Sequence, residues 1–149
     1  FLVDQVGDRL WPKYVSAYGV ALHNGAPVWA AGTAQAVISV AALAVAASVL
    51  RRQGPTDAVL AIILYAAVIA APRIFVYDLP LLAVGALFHA RAALSQGWTW
   101  WEPSLFAASI VLMEIAFVTA PQAAGPVAPA LLIGAWLRHM RGRPVTRCA

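Results

Sequence analysis

Two carboxylates and one amide lie inside apolar stretches of this chain. Asp78 falls in the run from Ala58 to Ala90, and Glu114 and Gln35 fall in two other apolar runs. Holding an ionised carboxylate in hydrocarbon is costly unless it is paired or faces a wet cavity. These residue types at these positions therefore predict contact with a substrate, or a path for a solute or proton.

Helix geometry places the three groups at a similar depth. At a rise of ~1.5 Å per residue, Gln35 lies roughly 10 Å, Asp78 roughly 6 Å and Glu114 roughly 9 Å below the same predicted membrane boundary. This spacing predicts a polar layer in one half of the membrane, facing a wet cavity. In the alternative interpretation, the three side chains hydrogen-bond to one another or to backbone and hold the helices together.

Arg73 adds a cation close to Asp78. Pro72 interrupts the apolar run, so the first N–H groups of the next helix and the Arg73 guanidinium both present positive charge. The pair predicts binding of an anionic headgroup such as a phosphate. Equally, Arg73 snorkels to the interface or pairs with Asp78. His89 lies roughly 16 Å from Asp78, too far for an acid–base pair, and is expected to be an interfacial residue.

The composition indicates an integral membrane protein. The chain has 149 residues, of which 62% are hydrophobic and 11% charged, and its mean hydropathy is +0.78. An ordinary soluble domain is much less apolar. The net charge of +4 would suit a nucleic-acid partner. Because the basic residues fall between and after apolar runs, we expect no nucleic-acid partner and assign them to topology.

The apolar runs predict an all-α fold, a polytopic transmembrane bundle of about five spans. An external segment over 1–27 is expected to contain a short interfacial helix from Lys13 to His23, a packed loop being the alternative. Asp57 is the expected cap of the second span. The five predicted spans are about 28–50, 58–71, 74–90, 104–120 and 125–137. A basic cytoplasmic tail over 138–149 is expected to follow them.

The distribution of Lys and Arg predicts the orientation. With five spans, seven Lys and Arg residues lie on the same side of the membrane as the C-terminus, and three, including Arg73, lie on the other side. The positive-inside rule then places the C-terminus in the cytoplasm of a bacterium and the polar layer in the outer half of its inner membrane. Residues 1–27 do not resemble a signal peptide, so we interpret the chain as the C-terminal piece of a longer protein.

Four sequence elements occur in an order that resembles a known family, the bacterial membrane glycosyltransferases of family 87, over about 90 residues. The elements are Lys13-Tyr14-Val15-Ser16-Ala17-Tyr18-Gly19 followed by Gly25; Gln35 in the next helix; Ala71-Pro72 followed by Tyr77-Asp78-Leu79; and Gln96-Gly97 with Trp101-Glu102-Pro103. The match is to the C-terminal half of these enzymes, which belong to the GT-C class.

The resemblance implies transfer of a sugar, often mannose, from a polyprenyl-phosphate donor to a lipid or glycan acceptor at the outer face of the membrane. It implies no cofactor, and nothing in the chain calls for a metal. The usual catalytic base of the family lies upstream, so this fragment is expected to be inactive alone. Where the family often has an aromatic residue, this chain has Arg73. The carrier-binding candidates are Arg73, Tyr77, Asp78, Gln35 and Glu114.

Two other functions fit the same residues. In a transporter or channel component, Asp78 and Glu114 would line a solute or proton path, although no inverted repeat is evident. A non-catalytic membrane assembly subunit is the third possibility. The sequence has no Gly-x-Ser-x-Gly, His-Glu-x-x-His or glycine-rich phosphate loop, which argues against soluble-enzyme chemistry.

Overall fold

The computed structural model describes residues 16–72, 80–118 and 125–141, and these ranges are all-helical, with six helices. The helices are α1 Ala17–His23, α2 Val28–Gln53, α3 Asp57–Ala70, α4 Pro80–Gln96, α5 Glu102–Val118 and α6 Val127–Arg141. Of the carrier-binding candidates, Arg73, Tyr77 and Asp78 lie outside the described residues. The all-α prediction is confirmed for the described part of the chain.

Hydroxyl side chains begin two of the helices. The Ser16 hydroxyl accepts the N–H of Gly19 at 3.2 Å, and Thr56 accepts the N–H of Val59 at 3.4 Å. Each hydroxyl satisfies a first-turn N–H that has no partner within its helix. The cap of α3 is therefore Thr56, one residue before the Asp57 expected from the sequence, and Asp57 is the first helical residue.

The fourth helix ends later than predicted. α4 continues to Gln96, six residues beyond the expected end at 90, and Gly97 follows with φ of 85°. Two small residues beyond the expected end, Ala92 and Ala93, are buried, so the extra turns pack against the bundle. Arg91 lies within α4, and its Nε is 3.4 Å from an Asp57 carboxylate oxygen on the exposed surface.

The last two helices also extend past their predicted limits. α5 begins at Glu102, two residues before the expected start at 104, and α6 continues to Arg141, beyond the expected end at 137. The extension of α6 includes Arg138 and His139, which are both buried. The first residues of the expected basic tail therefore belong to the packed structure.

α3 is the central helix. It packs against α2, α4 and α6, and its buried residues are all apolar or aromatic. On α4, Leu82, Gly85 and His89 are buried and share one face, at offsets of three, four and seven residues. A Cβ at Gly85 would lie 2.6 Å from the ring of Tyr65, so the absence of a side chain there lets α3 and α4 approach closely.

Among the described helices, α2 alone is long and apolar enough to cross a membrane. It has 26 residues, and 22% of its most apolar stretch is buried. α3 and the stretch Val127–Met140 are apolar but shorter. The core helix of a soluble protein and a signal sequence meet the same test of length and hydropathy, so α2 by itself is weak support for a membrane protein.

Candidate functional site

Gln35 is buried where three helices meet. Its amide nitrogen donates to the carbonyl of Ile69 at 2.8 Å and to the Ser39 hydroxyl at 3.0 Å, and its amide oxygen accepts the N–H of Tyr18 at 3.1 Å. These partners belong to the last turn of α3, to α2 itself and to the first turn of α1. Both ends of the amide are thus satisfied, as a buried polar group requires.

Two serines complete the contacts around Gln35. Ser39 donates to the carbonyl of Ala70 at 3.1 Å, and Ser16 donates to the carbonyl of Pro72 at 2.7 Å. The final carbonyls of a helix have no partner within it, and here α2 supplies the donors to Ile69 and Ala70. The cap residue of α1 supplies the donor to Pro72, two residues beyond the end of α3. We call this set the Gln35 junction. Its members are Ser16, Tyr18, Gln35, Ser39, Ile69, Ala70 and Pro72.

The junction brings together parts of the chain that the family resemblance singles out. Residues 16–19, Gln35 and Pro72 are up to 56 positions apart in sequence, and direct hydrogen bonds connect them. Pro72 is held in place at the point where the segment carrying Arg73 begins. The interpretation of Gln35 as a residue that holds helices together is confirmed.

The structure separates Glu114 from Gln35 in environment. Glu114 is exposed on α5, whereas Gln35 is 4% exposed and is not bonded to Glu114. The polar layer predicted from Gln35, Asp78 and Glu114 is therefore not one hydrogen-bonded group among the described residues. Asp78 itself lies outside them.

An apolar groove of about 220 Å³ adjoins the junction. Ile38 precedes Ser39 in the chain, and Ile69 gives its carbonyl to Gln35, so the groove begins beside the hydrogen-bonded end of α3. Its wall is almost wholly hydrocarbon. The lining residues are Ile38, Ala41, Ala42 and Val45 of α2, Ile69 of α3, and Pro129, Leu132 and Ile133 of α6.

A second polar group, not predicted from the sequence, joins α4, α5 and α6. His89 and Glu102 are fully buried and Arg138 is 4% exposed. His89 Nε2 lies 3.2 Å from Glu102 Oε1, and Arg138 Nη1 donates to the two oxygens of Glu102 at 3.2 and 3.3 Å. The sequence predicts an interfacial position for His89, and the structure places its ring inside the protein, against the rings of Tyr65 on α3 and Phe106 on α5.

Backbone groups of the preceding loop complete this arrangement. Thr99 N–H donates to Glu102 Oε2 at 2.7 Å, and both terminal nitrogens of Arg138 donate to the carbonyl of Gly97. We call the set His89, Gly97, Thr99, Glu102 and Arg138 the His89 cluster. It fastens the end of α4, the start of α5 and the last turns of α6 to one another.

The electrostatics of the cluster keep Glu102 ionised. Burial by itself would raise the pKa of Glu102, but the N–H of Thr99, the His89 ring and the Arg138 guanidinium lower it, and the net shift is downward. An ionised Glu102 accepts hydrogen bonds only, so His89 Nε2 carries the hydrogen between them. The carboxylate is fully engaged inside the protein and has no free face for a substrate.

A sequence signal for this cluster existed. His89, Glu102 and Arg138 each lie at the predicted inner end of a different span, and their charges are complementary. Considered one at a time, His89 is predicted at an interface and Arg138 in the basic tail, and Glu102 appears only as part of a family element. Ionisable residues that share a membrane depth pair with one another more often than they face lipid, and that rule would have joined them.

Among the described residues, no three His, Cys, Asp or Glu side chains come together as candidate metal ligands. The chemistry that the described atoms offer is hydrogen bonding at the Gln35 junction, an apolar groove beside it, and an internal ion cluster. No family model matches the chain, and no curated protein or solved structure matches it. The family resemblance consequently rests on the sequence elements given above.

Proposed function

We propose that this chain is the C-terminal membrane portion of a glycosyltransferase that moves a sugar, with mannose as the first candidate, from a polyprenyl-phosphate carrier to a lipid or glycan acceptor. The observation that supports this most is the Gln35 junction. Elements that match the family in sequence, residues 16–19, Gln35 and Pro72, are also bonded to one another. A chance resemblance of scattered residues gives no reason for such contacts.

The surroundings of the junction suit a carrier lipid. Arg73 follows Pro72 directly and supplies a cation for a phosphate. The groove that begins at Ile38 and Ile69 offers an apolar surface for the isoprenoid chain. In this proposal the Gln35 junction fixes the headgroup end of the groove, and Tyr77 and Asp78 belong to the headgroup side.

A multi-pass location in the inner membrane is part of the proposal. Large apolar side chains are exposed on α2, α4, α5 and α6, more than the surface of a soluble monomer usually carries. In a bilayer these side chains contact lipid. Examples are Trp29, Val40, Leu87, Leu94, Ile110 and Ile133, which are each at least 56% exposed.

The test is a transfer assay on membranes that contain the full-length protein or this stretch alone. With radiolabelled polyprenyl-phosphate mannose, we expect transfer by the full-length protein and none by the stretch, because the catalytic base is expected upstream. Arg73→Ala should raise the KM for the donor more than Arg73→Lys does, since Lys keeps the charge. Asp78→Asn should keep expression and lower activity.

The matched control is Arg52→Ala, which removes an exposed arginine at the opposite end of α2 and should leave the KM unchanged. Transfer by the stretch alone would contradict the upstream base. If the full-length protein transfers no polyprenyl-linked sugar, the result would favour a transporter or channel component in which Asp78 and Glu114 line a solute path.

A further inference from the structure

α5 is packed on one side only. Its inward residues Leu105, Phe106, Leu112 and Met113 lie against the core, and Ser109 is buried with them. Among the described helices, α6 is the main neighbour of α5. The other side of α5 is therefore without a neighbour among the described helices.

That open side is apolar with one carboxylate at its centre. Offsets of 4, 7 and 11 residues return to the same side of a helix, so Ala107, Val111, Glu114 and Val118 share it, with Ile110 beside them. All five are exposed, Ile110 at 61% and Val118 at 74%. We call these five residues the Glu114 face.

Glu114 has no hydrogen bond or ion pair with the described part of the chain. Glu102, the other carboxylate of α5, is fully buried among a cation, an imidazole and an N–H. Glu102 thus has partners inside the protein, whereas Glu114 has none among the described residues. In the membrane placement of the proposed function, Glu114 would face hydrocarbon without a partner, which membrane proteins avoid by pairing such groups.

Charge complementarity selects what covers this face. A second copy packed about a twofold axis would bring Glu114 against Glu114, and like charges repel. The described basic side chains of this chain do not pair with it, because Arg51, Arg52 and Arg91 lie toward the predicted opposite boundary and Arg138 is buried in the His89 cluster. Arg73, which the sequence predicts at the same boundary as Glu114, is assigned in the proposed function to the phosphate of the carrier.

We propose that the Glu114 face of α5 binds a transmembrane helix of another polypeptide that carries Lys or Arg at the depth of Glu114. The partner is apolar around that cation, to match Ile110, Val111 and Val118. This inference rests on the membrane placement in the proposed function, and it does not require sugar transfer.

The experiment uses the protein in lipid vesicles with a fluorescent donor on Cys148, which is the one cysteine of the sequence. The probes are two synthetic leucine-rich transmembrane peptides that carry an acceptor dye. One has a single Arg about 9 Å from its outer end, to match Glu114, and the other has Leu there. Energy transfer against peptide mole fraction gives the dissociation constant of each.

We expect the Arg peptide to bind about fivefold to thirtyfold more tightly than the Leu peptide, the range that interhelical polar contacts give in membranes. With Glu114→Ala the ratio should fall to about one, and with Glu114→Gln, which keeps an acceptor oxygen, it should lie between. Glu114 is exposed, so these substitutions do not disturb the core. Retention of the ratio in Glu114→Ala would overturn the proposal.

A relocated carboxylate is the specificity control. Val37 is 64% exposed on α2 at a similar predicted depth, so Glu114→Ala combined with Val37→Glu moves the charge to another apolar surface. Equal recruitment of the Arg peptide by this variant would show that any lipid-facing carboxylate suffices, and the Glu114 face would not be a site. Energy transfer could also occur between protein copies without any peptide. If Glu114→Ala abolishes that transfer, a second copy occupies the Glu114 face and the proposal is refuted. Sugar transfer is measured separately, so its failure leaves these outcomes intact.

Discussion

The Gln35 junction and the His89 cluster both fasten three helices with buried polar groups, but one is neutral and the other charged. At the junction an amide and two hydroxyls satisfy carbonyls at the end of α3. In the cluster a carboxylate, a guanidinium and an imidazole satisfy one another. Desolvating an amide costs far less than desolvating ions, so the two regions have different consequences when a member is removed.

The difference also assigns roles. A neutral junction can exchange one hydrogen-bond partner for another at small net cost, which suits the border of a site that must admit a ligand. A buried ion cluster resists any change that uncouples its charges. We therefore expect the Gln35 junction to tune activity through Pro72 and the His89 cluster to maintain the packing of α4, α5 and α6.

The largest effect is expected from Arg138→Met, which leaves Glu102 buried without its cation. Removing one partner of a buried ion pair costs about 3–5 kcal/mol of unfolding free energy. Denaturant titration of the protein in bicelles measures this. The double variant Glu102→Leu with Arg138→Met should lose less than Arg138→Met alone, because no uncompensated charge remains.

The control for Arg138→Met is Arg91→Met. Arg91 is 70% exposed and pairs with the partly exposed Asp57 at 3.4 Å, and surface pairs contribute about 0–1 kcal/mol. If Arg138→Met costs no more than Arg91→Met, the cluster behaves as a surface pair and the contrast between the two regions is lost.

A smaller effect is expected from Gln35→Leu. This change fills the space but leaves the N–H of Tyr18 and the carbonyl of Ile69 without their partner, which costs about 1–3 kcal/mol. Ser48→Ala is the comparison on the same helix, because the Ser48 hydroxyl is exposed and bonds only to Val45 of its own helix. Surface changes of that kind stay within about 0.5 kcal/mol.

Gln35→Leu also sharpens the assignment of roles. In the full-length protein it should raise the KM for the polyprenyl-linked donor, because Pro72 loses part of its support. Arg138→Met should instead lower the amount of folded protein while the KM of the surviving fraction stays unchanged. The opposite pattern would reverse the roles of the two regions.

Several features followed from local sequence alone. The starts of α2 and α3 and the break at Pro72 depend on apolar runs, caps and a proline, and these are local. Gln35 was recognised as an amide at membrane depth, and backbone bonding was one of its two interpretations.

The His89 cluster could not be predicted from local sequence patterns. His89, Glu102 and Arg138 are brought together by the packing of three helices, and Arg138 is 36 positions from Glu102. The longer extents of α4 and α6 have the same cause, since tertiary burial of Ala92, Ala93 and Arg138 keeps residues helical that looked like ends. The two carboxylates of α5 illustrate the limit, because the sequence predicts a functional position at membrane depth for Glu114 and gives no partner for Glu102, which the structure buries.

The smallest predicted effect is a pH dependence confined to the His89 cluster. The pKa of Glu102 is lowered in the folded protein, so the folded state binds its proton less readily than the unfolded state does. The stabilisation is therefore complete above the ordinary glutamate pKa of about 4.3 and is lost as the pH falls through the lower folded value.

The difference in Tm between the wild type and Glu102→Gln should stay constant from about pH 7 to pH 5, then shrink in more acid solution by about 2–4 °C for each kcal/mol lost. Comparing the two proteins removes the titration of groups distant from Glu102, and making the same comparison in a His89→Gln background removes that of the imidazole bonded to it. Gln35→Leu should show a Tm deficit that does not change over the same pH range. A Glu102→Gln deficit that shrinks already between pH 7 and pH 5 would mean that Glu102 has a raised pKa, and that burial outweighs Thr99, His89 and Arg138.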